Sequence, residues 1–152
     1  MLNIRKIDIN DKKEYLSMAR DFYDTDAVLF HVDNTHFAVT FDELMRSEDY
    51  ALCYILELDG KAAGYSLLAK TYSQEAGGMV IWIEEIYVKP EFRGRGIGKA
   101  FFDFLIKNRP ENVKRFRLEA EKENSRAIDL YKSFGFDFLE YDQMIIDFQE
   151  AK

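Results

Sequence analysis

The stretch Val88-Lys89-Pro90-Glu91-Phe92-Arg93-Gly94-Arg95-Gly96-Ile97-Gly98-Lys99-Ala100 holds the residue types and spacing most suited to chemistry. An apolar run stops at a proline, and three alternating glycines then enter a helical pattern. Glycine permits left-handed backbone angles and lets a ligand come close. Successive amide N–H groups can therefore turn into one concavity, and a helix N-terminus adds its positive end. Arg93, Arg95 and Lys99 raise the local potential further. Such a loop suits a phosphate or pyrophosphate. Two phosphate motifs do not fit. A dinucleotide fingerprint from Gly94 needs glycine where the chain has Lys99. A Walker loop ending at Lys99 needs glycine and Ser or Thr where the chain has Arg93 and Ala100.

Just upstream, Glu84 and Glu85 stand side by side in the apolar run from Val80 to Val88. Carboxylates in such a run are costly unless satisfied, so they serve either a function or a strand salt bridge. Neighbours on a regular strand point to opposite faces. One carboxylate is therefore expected on a ligand-facing side, the other on a helix-covered face or in solvent. His31 and His36 are the only histidines, and with no cysteine cluster they make no metal site. Cys53 lies in the apolar run Ala51 to Leu56 and reads as a packed core thiol.

The elements that must position these residues follow from periodicity. Residues 2 to 7 alternate and read as a strand. Residues 10 to 23 read as a helix capped by Asn10 or Asp11. Thr40-Phe41-Asp42-Glu43 is a capping box, which predicts a short helix starting there. The connection around residues 24 to 39 carries no clear signal. Runs 50–58 and 61–72 flank Asp59-Gly60, a two-residue hairpin turn, and a third run covers 79–88. A helix from about Gly96 to Asn108 has the stripe Ile97, Phe101, Phe104 and Leu105. A strand over 113–120 follows, and then a helix capped by Asn124 and ended by Gly135. Two β-runs, roughly 136–140 and 143–148, close the chain. The sum is a single α+β domain over 1–152, with helices packed on the faces of one sheet.

Composition narrows the class. The chain has 152 residues, 47% hydrophobic, and a formal net charge of −7. That balance argues against nucleic acid as a partner. No stretch approaches the ~20 apolar residues of a membrane helix, and no signal peptide is read at the N-terminus, so the expected location is cytoplasmic. Charge is uneven. Residues 21 to 50 hold Asp21, Asp24, Asp26, Asp33, Asp42, Glu43, Glu48 and Asp49 against one base, Arg46. This lobe and the basic loop suggest two different ligands, an anion and a cation.

The pattern Arg93-Gly94-Arg95-Gly96-Ile97-Gly98, preceded by Glu85-Ile86-Tyr87-Val88-Lys89-Pro90, resembles the acetyl-CoA signature of the GNAT superfamily. The segment Asn124-Ser125-Arg126-Ala127-Ile128-Asp129-Leu130-Tyr131-Lys132-Ser133-Phe134-Gly135-Phe136 resembles that family's C-terminal motif. The resemblance implies a central mixed, mostly antiparallel sheet and acetyl-CoA as donor. It implies that Arg93, Gly94, Arg95, Gly96, Ile97, Gly98 and Lys99 hold the pyrophosphate. The backbone of Ile86, Tyr87 and Val88 would pair with the pantetheine arm, and Asn124 would contact it while also capping its helix. Tyr131 matches the tyrosine that protonates the departing thiolate. Ile83-Glu84-Glu85-Ile86-Tyr87-Val88 is similar to the corresponding strand of spermidine/spermine N-acetyltransferases, which implies Glu84 as base, through water, with Glu85 next. The implied activity is acetyl transfer to a primary amine of a small, cationic molecule. A protein N-terminal or lysine acetyltransferase and a non-catalytic acyl-CoA sensor are the alternatives. Homodimers are common in the family.

Overall fold

A computed structural model describes residues 1–25 and 31–148, and among these described residues it has five strands and four α-helices. Strand β1 (Leu2–Lys6) leads through a turn of 3-10 helix (Ile9–Asp11) into α1 (Lys12–Tyr23). Asp8 caps that turn, and Asp11 returns a bond to Asp8 N at 2.8 Å. Arg5 clamps Asp11 with two bonds of 2.8 Å, which fixes the angle between β1 and α1. The second helix, α2 (Asn34–Arg46), begins earlier than the Thr40 box predicts. Asp33 is the true cap, accepting from Thr35 N at 2.8 Å. Thr40 lies inside the helix and turns its hydroxyl back onto His36 O at 2.7 Å. A local capping pattern lost here to the apolar stripe Phe37, Phe41 and Leu44, which extends the helix by burial.

Strands β2 (Ala51–Leu58), β3 (Lys61–Ser73) and β4 (Gly78–Val88) form an antiparallel meander. At the expected hairpin, Asp59 and Gly60 take φ of 52° and 79°, both left-handed as a type I′ turn requires. Helix α3 (Ile97–Lys107) crosses back to β5 (Val113–Leu118), which pairs parallel with β4. The sheet order is β1-β2-β3-β4-β5. One face carries α1 and α2 over Cys53, Ile55, Tyr65 and Tyr87. Tyr54 lies between two of these on β2 and points to the opposite face, where it meets Phe101 and Phe104 of α3 at 5.9 and 5.2 Å. The sheet is thus mixed, mostly antiparallel, and covered by helices on both faces.

The chain divides into two compact units, Met1–Glu121 and Lys122–Lys152. The second contains α4 (Ser125–Ser133), capped by Asn124 Oδ1 on Ala127 N at 3.3 Å and terminated by Gly135 at φ 98°. The two expected strands after it are absent: residues 136–148 adopt no strand. Alternation of apolar and polar residues prepares a strand but does not make one without a partner ladder. Among the described residues no helix is long and apolar enough to cross a membrane.

Candidate active site

The site is built where β4 and β5 part. Their parallel ladder runs from Met79–Val113 to Ile83–Leu118, and β4 then continues to Val88 without β5. On its other side β4 stays paired with β3 out to Val88–Gly64. Lys89 N donates to Ala63 O at 2.8 Å, and Ser66 Oγ donates to Glu85 O at 2.8 Å. Alternate residues of an antiparallel strand serve the same neighbour. The backbone groups of Glu85, Tyr87 and Lys89 therefore face β3, and those of Ile86 and Val88 face the side that β5 has left. A Cβ at Gly64 would lie 2.1 Å from Tyr87 O, so only glycine allows β3 this close. Of the three residues expected to offer backbone to the pantetheine, Tyr87 is committed to β3. Ile86 and Val88 face the gap, although Val88 O already accepts from Arg93 Nε at 2.8 Å.

Glu84 is the irregular residue of this strand. Leu67 pairs with Glu85 and Leu68 with Ile83, so Glu84 has no partner on β3 and forms a β-bulge. Leu67 and Leu68 point to opposite faces, and paired residues share a face. Glu85 thus lies on the face of Leu67, which packs on the α1–α2 core. Alternation from Ile83 puts Glu84 on that same face. The expectation that the two acids point to opposite faces is corrected: the extra residue resets the alternation between them.

The two carboxylates have different surroundings. Glu84 is exposed. Its pKa is raised, first by the atoms of the sheet that part-bury it, then by repulsion from Glu119 and Glu85. Glu119 directly follows Leu118, the last β5 residue in register, so it meets Glu84 at the fork. Glu85 is 8% exposed and accepts from Tyr23 Oη at 2.5 Å and Tyr65 Oη at 2.6 Å. Burial raises its pKa while the two phenols pull it back. Tyr23 and Tyr65 are pushed up by burial and by the Glu85 charge, so both remain neutral donors. Sequence reasoning missed both tyrosines. Their signal appears only with the register: Tyr65 pairs with Tyr87, diagonal to Glu85, and a buried carboxylate requires donors.

The glycine loop opens directly from β4. After a 3-10 turn (Pro90–Phe92), Arg93 N donates to Pro90 O, and Gly94 and Gly96 take φ of 75° and 74°. Ala100 N on Gly96 O, 3.0 Å, is the first bond of α3. The N–H groups of Ile97, Gly98 and Lys99 therefore have no acceptor within the helix. A Cβ at Gly94, Gly96 or Gly98 would meet no atom within 4 Å. Open space, unpaired donors and a helix N-terminus fit a pyrophosphate. Arg93 lies over the Tyr87 ring and Arg95 over Phe92, each at 5.8 Å. In the second unit, burial raises the Tyr131 pKa, and its ring meets Phe136 edge-on at 6.2 Å. Among the described residues no group of three His, Cys, Asp or Glu side chains could hold a metal.

A mixed sheet that forks at a bulge beside an open glycine loop at a helix N-terminus defines a class. The acetyltransferase (GNAT) family profile matches residues 15–136. The chain belongs to that family. It is 42% identical over 77 residues to the thialysine N-epsilon-acetyltransferase of Sus scrofa, covering 47% of this chain and 42% of that protein. It is 29% identical over 87 residues to the spermine/spermidine N(1)-acetyltransferase of Bacillus subtilis (strain 168), covering 55% and 57%. The matches thus span about half the length of these curated relatives. In three dimensions it resembles an aminoglycoside N-acetyltransferase in complex with CoA, with TM-score 0.77, 16% identity, and coverage of 98% and 96%. That likeness is one of fold.

Proposed function

We propose that the chain transfers the acetyl group of acetyl-CoA to a primary amine of a small, cationic acceptor. The observation that carries this reading is the bulged Glu84 at the β4–β5 fork, one strand-end away from the open glycine loop. An alkylamine of pKa ~10.4 is nearly all ammonium at neutral pH and cannot attack until it loses a proton. Glu84 is exposed and its proton affinity is raised, which suits a base acting directly or through water. Glu85, sealed under two phenols, has no such access. Arg93 to Lys99 would hold the pyrophosphate, the edge of Ile86 and Val88 the pantetheine, and Tyr131 would return a proton to the leaving thiolate. Acetyl-CoA supplies the activated acyl group.

The cationic acceptor rests on charge and on relatives. Of the acids in residues 21–50, Asp33 caps α2, Glu43 pairs with Arg46 at 2.6 Å, and Glu48 pairs with Lys6 at 2.9 Å. Asp26 lies outside the described residues. Asp21 bonds the Tyr87 phenol and Asp49 acts on Arg46, which leaves the exposed Asp24 and Asp42 as the acids best placed to attract a cation. Two relatives are named for thialysine and for spermine and spermidine, both cationic amines. The test is an acceptor screen with acetyl-CoA, read by free-thiol release at two salt concentrations. Diamines, polyamines or basic amino acids should give the highest kcat/KM, with KM rising as salt screens charges beyond ~8 Å. A neutral or acidic acceptor ranking first, without salt dependence, would remove the cationic reading.

A further inference from the structure

Glu85 is a buried ionisable group that the proposed reaction leaves unused, and it sits next to the residue the reaction needs. Each carboxylate oxygen of Glu85 is bonded to a different element: Oε2 to Tyr23 at the end of α1, Oε1 to Tyr65 on β3. Its carbonyl is held in addition by Ser66 Oγ at 2.8 Å. Residue 85 is thus fixed at three points. Glu84, by contrast, is the bulged residue, and no β3 residue pairs with it. The direction of a bulged residue is set by the residues that flank it. Tyr23 also lies close enough to both acids for each to raise its pKa. Tyr65 is fully buried and meets Tyr15 edge-on at 5.5 Å, so its hydroxyl is set by packing.

We infer that Tyr23, Glu85 and Tyr65 form a clamp that aims the Glu84 carboxylate into the β4–β5 fork. Glu85 is then a positioning residue, and Tyr23 is the strut that carries its position to α1. This rests on the reading of Glu84 as base. The clamp explains why a buried carboxylate is kept in an aromatic core. A carboxylate accepts two phenols from two directions at once, which no apolar residue can do. It also couples the strand that holds the base to the end of α1, where the acidic segment begins.

The test is a double-mutant cycle on kcat/KM with a polyamine acceptor. Tyr23→Phe and Tyr65→Phe each remove one hydroxyl and keep the ring. Each should lower kcat about 10- to 100-fold, the range for misplacing a reacting group by about an ångström. The acetyl-CoA-induced rise in Tm should be unchanged in both. In a Glu84→Gln background the same substitutions should have little further effect, because the group they aim is gone. Tyr65 is fully buried and does not touch an acceptor, so its agreement with Tyr23 separates aiming from acceptor contact. Effects that multiply fully with Glu84→Gln would overturn the clamp and leave Glu84 as base. If Glu84→Gln alone leaves kcat/KM unchanged, the base assignment itself falls, and the clamp with it. Should Tyr65→Phe fold poorly, Tyr23→Phe on the half-buried side of the clamp decides alone.

Discussion

Gly98→Glu separates what the glycine loop does for the ligand from what it does for the fold. Gly98 lies in the first turn of α3, outside the left-handed region, and a Cβ there would meet no atom within 4 Å. A side chain at this position is unstrained. Replacing glycine at a compatible site stabilises by about 0.4–1 kcal/mol through the unfolded chain. A carboxylate at a helix N-terminus adds about 0.3–1 kcal/mol. With ~2–4 °C of Tm per kcal/mol for a chain of this size, the ligand-free variant should melt about 2–8 °C higher than wild type. The same side chain occupies the space and opposes the charge of a pyrophosphate. Acetyl-CoA at 100 times its Kd stabilises a binding protein by about 2.7 kcal/mol, a shift of roughly 5–11 °C here. Differential scanning fluorimetry with and without acetyl-CoA reads both quantities. A higher baseline with the ligand shift abolished is the expected pair. Gly98→Ala should raise the baseline and retain part of the shift. A full wild-type shift in Gly98→Glu would refute the loop as the pyrophosphate site.

Tyr131→Phe should lower kcat about 100-fold, the range for losing a general acid, and leave the acetyl-CoA Kd unchanged. An unaltered kcat in stopped-flow thiol release would return Tyr131 to packing. Asp11→Asn should destabilise by about 2 kcal/mol at neutral pH, since charged bonds from Arg5 and one from Asp8 N are weakened. The Asp11 pKa is lowered chiefly by the Arg5 bond, so its stabilisation is present above the ordinary value of 3.8 and lost as pH falls through the folded one. Urea melts of wild type and Asp11→Asn should therefore converge in strong acid, and a gap independent of pH would contradict the ion-pair account.

The meander, α1, α3 and the glycine loop were legible because each rests on local chemistry. Asp59-Gly60 can hardly be anything but a turn, and a proline followed by alternating glycines ends a strand wherever it occurs. The start of α2 was misread because Thr40 fits a capping box in sequence, while the residue that caps the helix is Asp33, inside the connection that carried no clear signal. The bulge was invisible for a different reason. A single extra residue within Ile83-Glu84-Glu85-Ile86 leaves composition and apolar density unaltered, and only the pairing with Leu67 and Leu68 exposes it. The partners of Glu85 likewise come from 62 and 20 positions away in the chain. Such contacts have no sequence signature until the register is known. Apolar alternation over 136–148 failed in the opposite sense, since the pattern is present and the ladder is not.

The bulge gives residue 84 an unusual standing in this chain. The ladder between β3 and β4 passes from Ile83 to Glu85 without counting it. The sheet could be assembled with position 84 deleted, and Glu85, Tyr87 and their core neighbours would keep their partners. The acid proposed as base is therefore a supernumerary residue, carried by the scaffold but not used to build it. Replacing it should cost the fold little, while the glycine loop and strand edge persist. If Glu84 is the base, a lineage with this architecture stands one substitution from a silent acyl-CoA receptor that folds and binds as before. The same substitution reversed would restore turnover without any need to rebuild the sheet.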